Sequence, residues 1–425
     1  MSLLETVEAQ ALLEEATVTP SQVLSCEQRL TRFLSRYLPK FYRCEQRNSA
    51  RVVVKGLLGD LERKTCEPIA RRAGLERKPI QFFVGAGKWD DEAVMAELRQ
   101  HVAEEQADPH GILIFDGSGF PKKGKASCGV KRQWCGRLGK VDNCQMGVFL
   151  AYATAQGYAP LDRRLYLPKE WAARKTRRAQ THVPQAVRYR PKWKIALEMF
   201  SRHAAHIPHA WIAADSEFGR VAEFRAALRK QGEHYVLDVP SNTWIRDLAE
   251  PAPKTRATTG RPRSRPWLQV QAWARQQPAR HWQTFTVRDG TKGPLQVRAL
   301  TTRVQTRIQS RVGEEEILIV FKTVEATPRT VYALANAPAQ TGLEELLRVA
   351  AARHHVEEMF EAAKGEAGLA HYEVRSWVGW HHHVTLSFLA LWFLLLERRR
   401  VGEKKSRTDC AADASDFCLS TQQTA

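Results

Sequence analysis

Between residues 21 and 107 apolar side chains recur at helical spacing: Leu30, Phe33, Leu34 and Tyr37, then Val53 to Leu61, then the stretch Glu92 to Val102. Asp90, followed by the acids Asp91 and Glu92, reads as a helix start. The pattern changes at Asp108-Pro109-His110-Gly111, a turn signal. Next comes Ile112-Leu113-Ile114-Phe115, a short unbroken apolar run typical of a strand buried on both faces, ending at Asp116. Further strands are expected at 147–154 and 161–167, a helix at 193–206, and a strand at 211–214 that also ends on an acid, Asp215. A helix (221–230) and a strand (235–239) follow. Strands first, then strand–helix alternation, predict an α/β layered core.

Residues 250–267, rich in Pro, Lys and Arg, read as a linker. Alternating segments at 282–288, 295–301, 316–321 and 329–335 predict an antiparallel β unit. Helical spacing returns from Leu343 through Glu357 to Lys364, and again from Ser376 to Glu397. The largely apolar stretch Val384–Leu396 reads as a buried core helix, too short to span a bilayer. The polar tail after Arg398 reads as disordered.

With 43% apolar and 26% charged residues, the chain has ample material for a core, which excludes wholesale disorder. Its 425 residues correspond to two to four structural units at roughly 100–200 residues each. The first residues carry Glu5, Glu8, Glu14 and Glu15 and no Lys or Arg before Arg29, the wrong sign for a targeting peptide. A soluble intracellular protein is expected, without a membrane partner. Eight Cys with no C-x2-C spacing point to free thiols in a reducing compartment. Cys128, Cys135 and Cys144 fit no common zinc arrangement.

A formal charge of +19 changes the picture, because it implies a polyanionic partner, a nucleic acid, the alternative being a solvated basic face or a ribosomal-type contact surface. Residues 120–144 hold seven basic residues against Asp142, and residues 163–194 hold eleven against Glu170. Lys122, Lys123, Lys125, Arg174, Lys175, Arg177 and Arg178 are the candidate DNA contacts, with Trp134, Trp171, Tyr189 and Trp193 interleaved to stack on bases or support Arg. The Arg-rich N-terminal helices either dock DNA or form a bundle with a charged outer face.

Asp116 and Asp215 at strand ends carry the chemistry. Two carboxylates meeting on adjacent strands repel unless a divalent cation neutralises them, and Mg2+ favours such oxygen ligands. On a basic protein this points to phosphodiester chemistry. The plainer alternative makes each Asp a turn residue or helix N-cap. A phosphate-loop alternative, Gly119-x4-Gly124-Lys125, lacks the metal-binding Ser or Thr at Ala126 and is followed by no helical pattern. His203, His206 and His209 have ligand-like spacing, but Pro208 interrupts it. The consecutive His381, His382 and His383 are expected at the surface, in caps or on DNA.

In Arg353-His-His-Val-Glu357-Glu-Met-Phe-Glu-Ala-Ala-Lys364, spacings of four and seven put Arg353, Glu357 and Lys364 on one face of a helix. A solvated salt bridge uses the same residues. This R-x3-E-x6-K spacing is similar to the second half of the Y-x2-R-x3-E-x6-K signature of bacterial insertion-sequence transposases with a DDE triad. Asp116-Gly-Ser-Gly-Phe-Pro-Lys-Lys-Gly-Lys, Gly139-Lys-Val-Asp-Asn-Cys-Gln and Gly368-Leu with His371-Tyr-Glu-Val-Arg-Ser-Trp also resemble that family. The likeness covers about 111–396 and departs at Ala350, where the signature has Tyr.

The resemblance implies a ribonuclease-H-like mixed sheet flanked by helices. It also implies cutting at inverted-repeat ends, then strand transfer to target DNA, by hydrolysis and transesterification that need divalent metal. Asp116, Asp215 and Glu357 become the catalytic acids and ligands of two Mg2+ (or Mn2+) ions, with Arg353 and Lys364 as phosphate contacts. The expected organisation is a helical region (1–107), the first part of the core (108–245), a linker with a β-rich insertion (246–340), the C-terminal helices of the core (341–397) and the tail (398–425). The partner would be double-stranded DNA, bound by a homodimer on the nucleoid. A catalytically inactive derivative that only occupies the element's ends is the alternative.

Overall fold

The computed structural model describes residues 20–203, 207–251, 265–290, 293–309, 311–325, 328–338 and 340–401. Most of the expected linker and tail, and His206, lie outside them. The described residues begin with the helices α1 (Pro20–Tyr37), α2 (Cys44–Leu58), α3 (Cys66–Arg72), α4 (Arg77–Gly85) and α5 (Asp91–Gln106). Asp90 caps α5 as expected, its carboxylate accepting from the backbone N–H groups of Glu92 and Ala93.

Next come β1 (Ile112–Pro121), β2 (Lys131–Cys135), β3 (Lys140–Thr154) and β4 (Gly157–Leu165), then α6 (Lys169–Ala173), α7 (Lys175–Gln180) and α8 (Lys192–His203). Then follow β5 (Trp211–Ala214), α9 (Ser216–Gly219), α10 (Ala222–Lys230), β6 (Tyr235–Asp238), β7 (Trp244–Asp247), β8 (Leu268–Gln269) and α11 (Val270–Arg275). The last elements are β9 (Gln283–Gly290), β10 (Gly293–Ile308), β11 (Arg311–Thr323), β12 (Thr330–Ala335), α12 (Leu343–Ala352), α13 (His354–Gly365) and α14 (Trp377–Val401).

One twelve-stranded sheet runs β2-β3-β1-β5-β6-β12-β11-β10-β7-β8, with β4 on β3 and β9 on β10. Among the described residues only β1–β5 and β5–β6 are parallel. The part β4-β3-β1-β5-β6 is the mixed sheet of a ribonuclease-H-like core, as expected. Its central strands are apolar runs because helices cover both faces. Phe115 meets Phe224 of α10 edge-on at 6.3 Å, while Phe149 of β3 meets Phe360 of α13 at 5.0 Å on the other face. A second apolar cluster, with Trp273, Leu300, Leu318 and Leu334, sits under the β7–β12 part of the sheet.

The expected antiparallel unit continues the core sheet, since β12 pairs with β6. Three expectations need correcting. β1 does not end at Asp116 but continues to Pro121, because β3 pairs with it antiparallel as far as Cys144. The helix expected from Leu343 to Lys364 is broken at Arg353 into α12 and α13, where the guanidinium reaches across to β6. Finally, His381, His382 and His383 are buried rather than exposed. His382 stacks on Trp89 at 3.8 Å, and its ring nitrogens meet the carbonyls of Val84 and Trp89. His383 meets the Gly368 carbonyl and His381 that of Trp377. Backbone carbonyls and aromatic rings replace water for His382 and His383, whereas His381 keeps its Nε2 buried without a hydrogen-bond partner among the described residues. Among the described residues no helix is long and apolar enough to cross a membrane.

Burial pushes His381 and His383 down to about 4, and lowers His382 as well. Their folded-state values lie below the unfolded value, so the unfolded chain takes up protons first as pH falls. The stability they permit is present above pH 6.5 and lost as pH falls towards 4. The unfolding free energy from urea titration is expected to drop between pH 7 and pH 4.5, on the order of a few kcal/mol per histidine, and less in His383→Gln. A variant that loses as much stability as the parent would remove His383 from this account.

Candidate active site

Phe115 lies opposite Ala214 in the parallel β1–β5 pair, and Ala214 opposite Leu237 in β5–β6. The next residue along each strand is Asp116, Asp215 and Asp238. The three acids therefore stand abreast on neighbouring strands, about 5 Å apart at the backbone. By strand alternation Asp215 shares its face with Trp211, whose indole N–H donates to Glu345 of α12 at 2.8 Å. That is the face covered by α12 and α13. Gly219 keeps the third strand end close, because a Cβ there would lie 2.0 Å from the Asp238 carbonyl oxygen.

Asp238 was missed in the sequence, although Tyr-Val-Leu-Asp238 repeats the pattern of an apolar run ending on an acid. Reading the strand on to Val239 hid it.

These carboxyls are costly to ionise as they stand. Burial, and then the neighbouring Asp215, push Asp116 up to about 8. Burial and Glu217 raise Asp215, and burial pushes Asp238 up to about 7. Asp116 accepts from the Gly117 N–H at 2.6 Å. Asp215 also caps α9, one oxygen accepting from the Glu217 N–H at 2.9 Å, so the plainer reading holds for part of that side chain.

Arg353 joins the row to α13. Its Nε is 3.0 Å from Asp238 Oδ2 and its Nη1 is 2.7 Å from Glu357 Oε1. His354 also approaches Glu357, at 3.5 Å, and together with Arg353 holds that carboxyl down to about 2. Glu358 turns instead to His354 and His355, at 3.2 and 3.0 Å. Lys364 crosses to β1, where its Nζ donates to Ser118 Oγ at 2.8 Å and lies over the Phe360 ring at 5.1 Å. Burial lowers it to about 8. Ala350 is buried within α12.

The expected acids and cations thus gather on one face, with Asp238 added. Among the described residues, no three His, Cys, Asp or Glu converge closely enough to hold an ion as they stand, since Glu357 is drawn into its ion pairs. The donor set nevertheless fits a hard divalent cation: buried, paired oxygen ligands whose ionisation awaits a counter-charge.

The basic segments divide. Lys123, Lys125, Arg174 and Lys175 are exposed. Lys122 is spent on Tyr372, lying 3.4 Å over its ring and donating to its carbonyl at 3.1 Å. Arg177 lies 5.0 Å over Trp171, and Arg178 donates to the carbonyls of Val187 and Pro184 at 2.8 and 2.9 Å. Arg163 is fully buried, bound to Asp91, Asp162 and Thr385. The G-x4-G-K segment leads from β1 into β2, with no helix to cradle a phosphate. Cys128, Cys135 and Cys144 are buried, free thiols.

A family model described as DDE superfamily endonuclease matches residues 36–294, which include Asp116 and Asp215. A protein of Microchaete diplosiphon described as a probable transposase for insertion sequence element IS701 is 27% identical over 196 residues. That match spans 45% of this chain and 49% of the relative, so the chain covers about half of that protein's length. Enzymes of this superfamily use divalent metals. With the family match extending over more than half of the sequence and two acids abreast at its centre, this chain belongs to the DDE endonuclease superfamily.

Proposed function

We propose that this chain is a transposase of a bacterial insertion sequence, cutting the element's ends and joining them to target DNA. The observation that carries the reading is the pair Asp116 and Asp215 abreast on the adjacent parallel strands β1 and β5, beside Asp238, which Arg353 links to Glu357. Asp116, Asp215 and Glu357 are the residues that would hold two Mg2+ or Mn2+ ions. When bound, such ions activate an attacking water or 3′-hydroxyl and stabilise the leaving oxygen.

The chain's own groups handle the phosphates. Arg353 presents a planar fork, now shared between Asp238 and Glu357, that also matches a phosphate. Lys364, beside Ser118, offers a compact ammonium within the same face. The exposed Lys123, Lys125, Arg174 and Lys175 extend the positive path for double-stranded DNA. A homodimer working on the nucleoid would hold two ends at once.

A supercoiled plasmid carrying the DNA that flanks the gene tests this. Nicking or linearisation is expected with Mg2+ or Mn2+, none in EDTA, and no effect of ATP. Cutting that survives EDTA would overturn the metal assignment. Tight binding to those ends without any cutting would identify an inactive derivative instead.

A further inference from the structure

A charged pair lies buried on the α10 face of the sheet, behind the aspartate row. Arg225 of α10 and Glu316 of β11 are 6% and 4% exposed, and Thr306 of β10 and Tyr235 of β6 are buried with them. The Arg225 Nε donates to Glu316 Oε1 at 2.9 Å, and its Nη2 donates to Thr306 Oγ1 at 3.0 Å. Tyr235 donates its hydroxyl to the same Glu316 oxygen at 2.6 Å. Thr306 stands where the β10–β11 register slips, and a Cβ on Gly313 would lie 2.6 Å from its hydroxyl oxygen. Such irregularities re-aim a side chain, and this one brings the hydroxyl to Arg225.

An ion pair is a poor way to fill a core. Both charges lose their water, and apolar side chains of the same volume often hold a fold as firmly or more so. The position of this pair indicates what it adds. The remaining arm of the guanidinium, Nη1, donates to the Gly219 carbonyl at 2.6 Å. Gly219 closes the turn that Asp215 opens, its N–H donating to the Asp215 carbonyl at 2.9 Å. It is also the residue whose lack of a Cβ lets this turn rest on Asp238. One planar group thus ties β10 and β11 to the peptide that sets Asp215 against Asp238. A rigid fork serves three acceptors in fixed directions, which a flexible ammonium does not.

We propose that Arg225 is a positioning residue: through it the β10–β11 part of the sheet fixes the turn after Asp215, and with it the placing of that carboxylate for a divalent cation. The inference rests on the metal-dependent reading above. Reacting groups tolerate little misplacement, for a shift of about 1 Å produced far from the chemistry costs on the order of a hundredfold in rate. Arg225 is too deeply buried to touch DNA, so its effect passes through Gly219 and Asp215.

Arg225→Met combined with Glu316→Leu removes both charges, nearly keeps the volume and leaves no unpaired ion. This double variant is expected to melt within a few degrees of the wild type by circular dichroism. Mn2+, titrated calorimetrically in the absence of DNA, should then bind about tenfold more weakly or worse, and kcat for plasmid cutting should fall about tenfold or more with KM unchanged. Leu300→Ala, which opens a hole in the apolar cluster under the same strands, is the comparison. It should melt lower, yet keep wild-type Mn2+ affinity and kcat below its melting range. Arg225→Lys, which keeps a charge against Glu316 but not the fork, should fall between the wild type and the double variant in both measurements. Wild-type Mn2+ binding and kcat in the folded double variant would overturn the proposal and leave the pair as core packing. If the double variant does not fold, Arg225→Lys decides, and wild-type values for it overturn the proposal. Equal losses in Leu300→Ala would also overturn it, by making both effects consequences of lowered stability. A wild-type chain that neither binds Mn2+ nor cuts is a different result: it removes the metal reading, and with it the role given to Arg225.

Discussion

Asp116→Asn is expected to lower strand cleavage by more than about a thousandfold while leaving DNA affinity nearly intact, and Asp215→Asn should do the same. The amide keeps the shape and, for Asp116, an oxygen to accept from the Gly117 N–H. What it loses is the charge, and with it several kcal/mol of transition-state stabilisation, roughly 4 kcal/mol being a thousandfold. Stability should move the other way. The folded-state value of Asp116, about 8, lies above its ordinary value of 3.8, so the folded chain holds a proton that the unfolded chain has released. Stability is therefore present at low pH and declines as pH rises from about 4 through 8. Asp116→Asn removes that decline and should melt above the wild type at pH 8 without metal. Added Mg2+ should raise the wild-type melting temperature and leave that of Asp116→Asn unmoved. Cleavage at a wild-type rate in either variant would refute the assignment.

Glu357→Gln should also eliminate cleavage and weaken metal binding, whereas Glu358→Gln and Glu361→Gln should stay within a few-fold of wild type. These acids crowd one helix, but successive residues point about 100° apart, and Glu361 lies a turn, about 5.4 Å, beyond Glu357. Glu357 shares a cation with the aspartate row, since Arg353 binds both it and Asp238. Glu358 is spent on His354 and His355. Asp238→Asn, which removes one of Arg353's two carboxylate partners, should give an intermediate loss in kcat that Asp238→Glu partly restores. A dead Glu358→Gln beside an active Glu357→Gln would mean that the chemistry uses the other side of α13.

The apolar runs Ile112–Phe115 and Trp211–Ala214 were legible because a strand covered on both faces has no polar alternation to blur it. Their acids were legible because a carboxylate stops such a run. The continuation of β1 through Gly117, Gly119 and Pro121 was not, because none of these favours a strand. Pairing with β3 imposes it. Asp238 was lost to a boundary error of one residue. The break at Arg353 reflects a contact with β6, more than a hundred residues earlier in the chain, that no local pattern encodes. Polar type misled for the three histidines and for Arg163, where buried carbonyls, rings and carboxylates provide the partners.

The pairing of β6 with β12 has a consequence for how the protein is made. The third strand of the aspartate row gains its outer neighbour only after residue 335 has left the ribosome, and Arg353 and Glu357 come later still. At roughly 5–20 residues per second, about 10–50 s separate synthesis of Asp116 from that of Glu357. During that interval the nascent chain carries the basic segments and the first two acids without the third. On the function proposed above, the basic segments that would meet DNA are made before the set of acids that would cut it is complete.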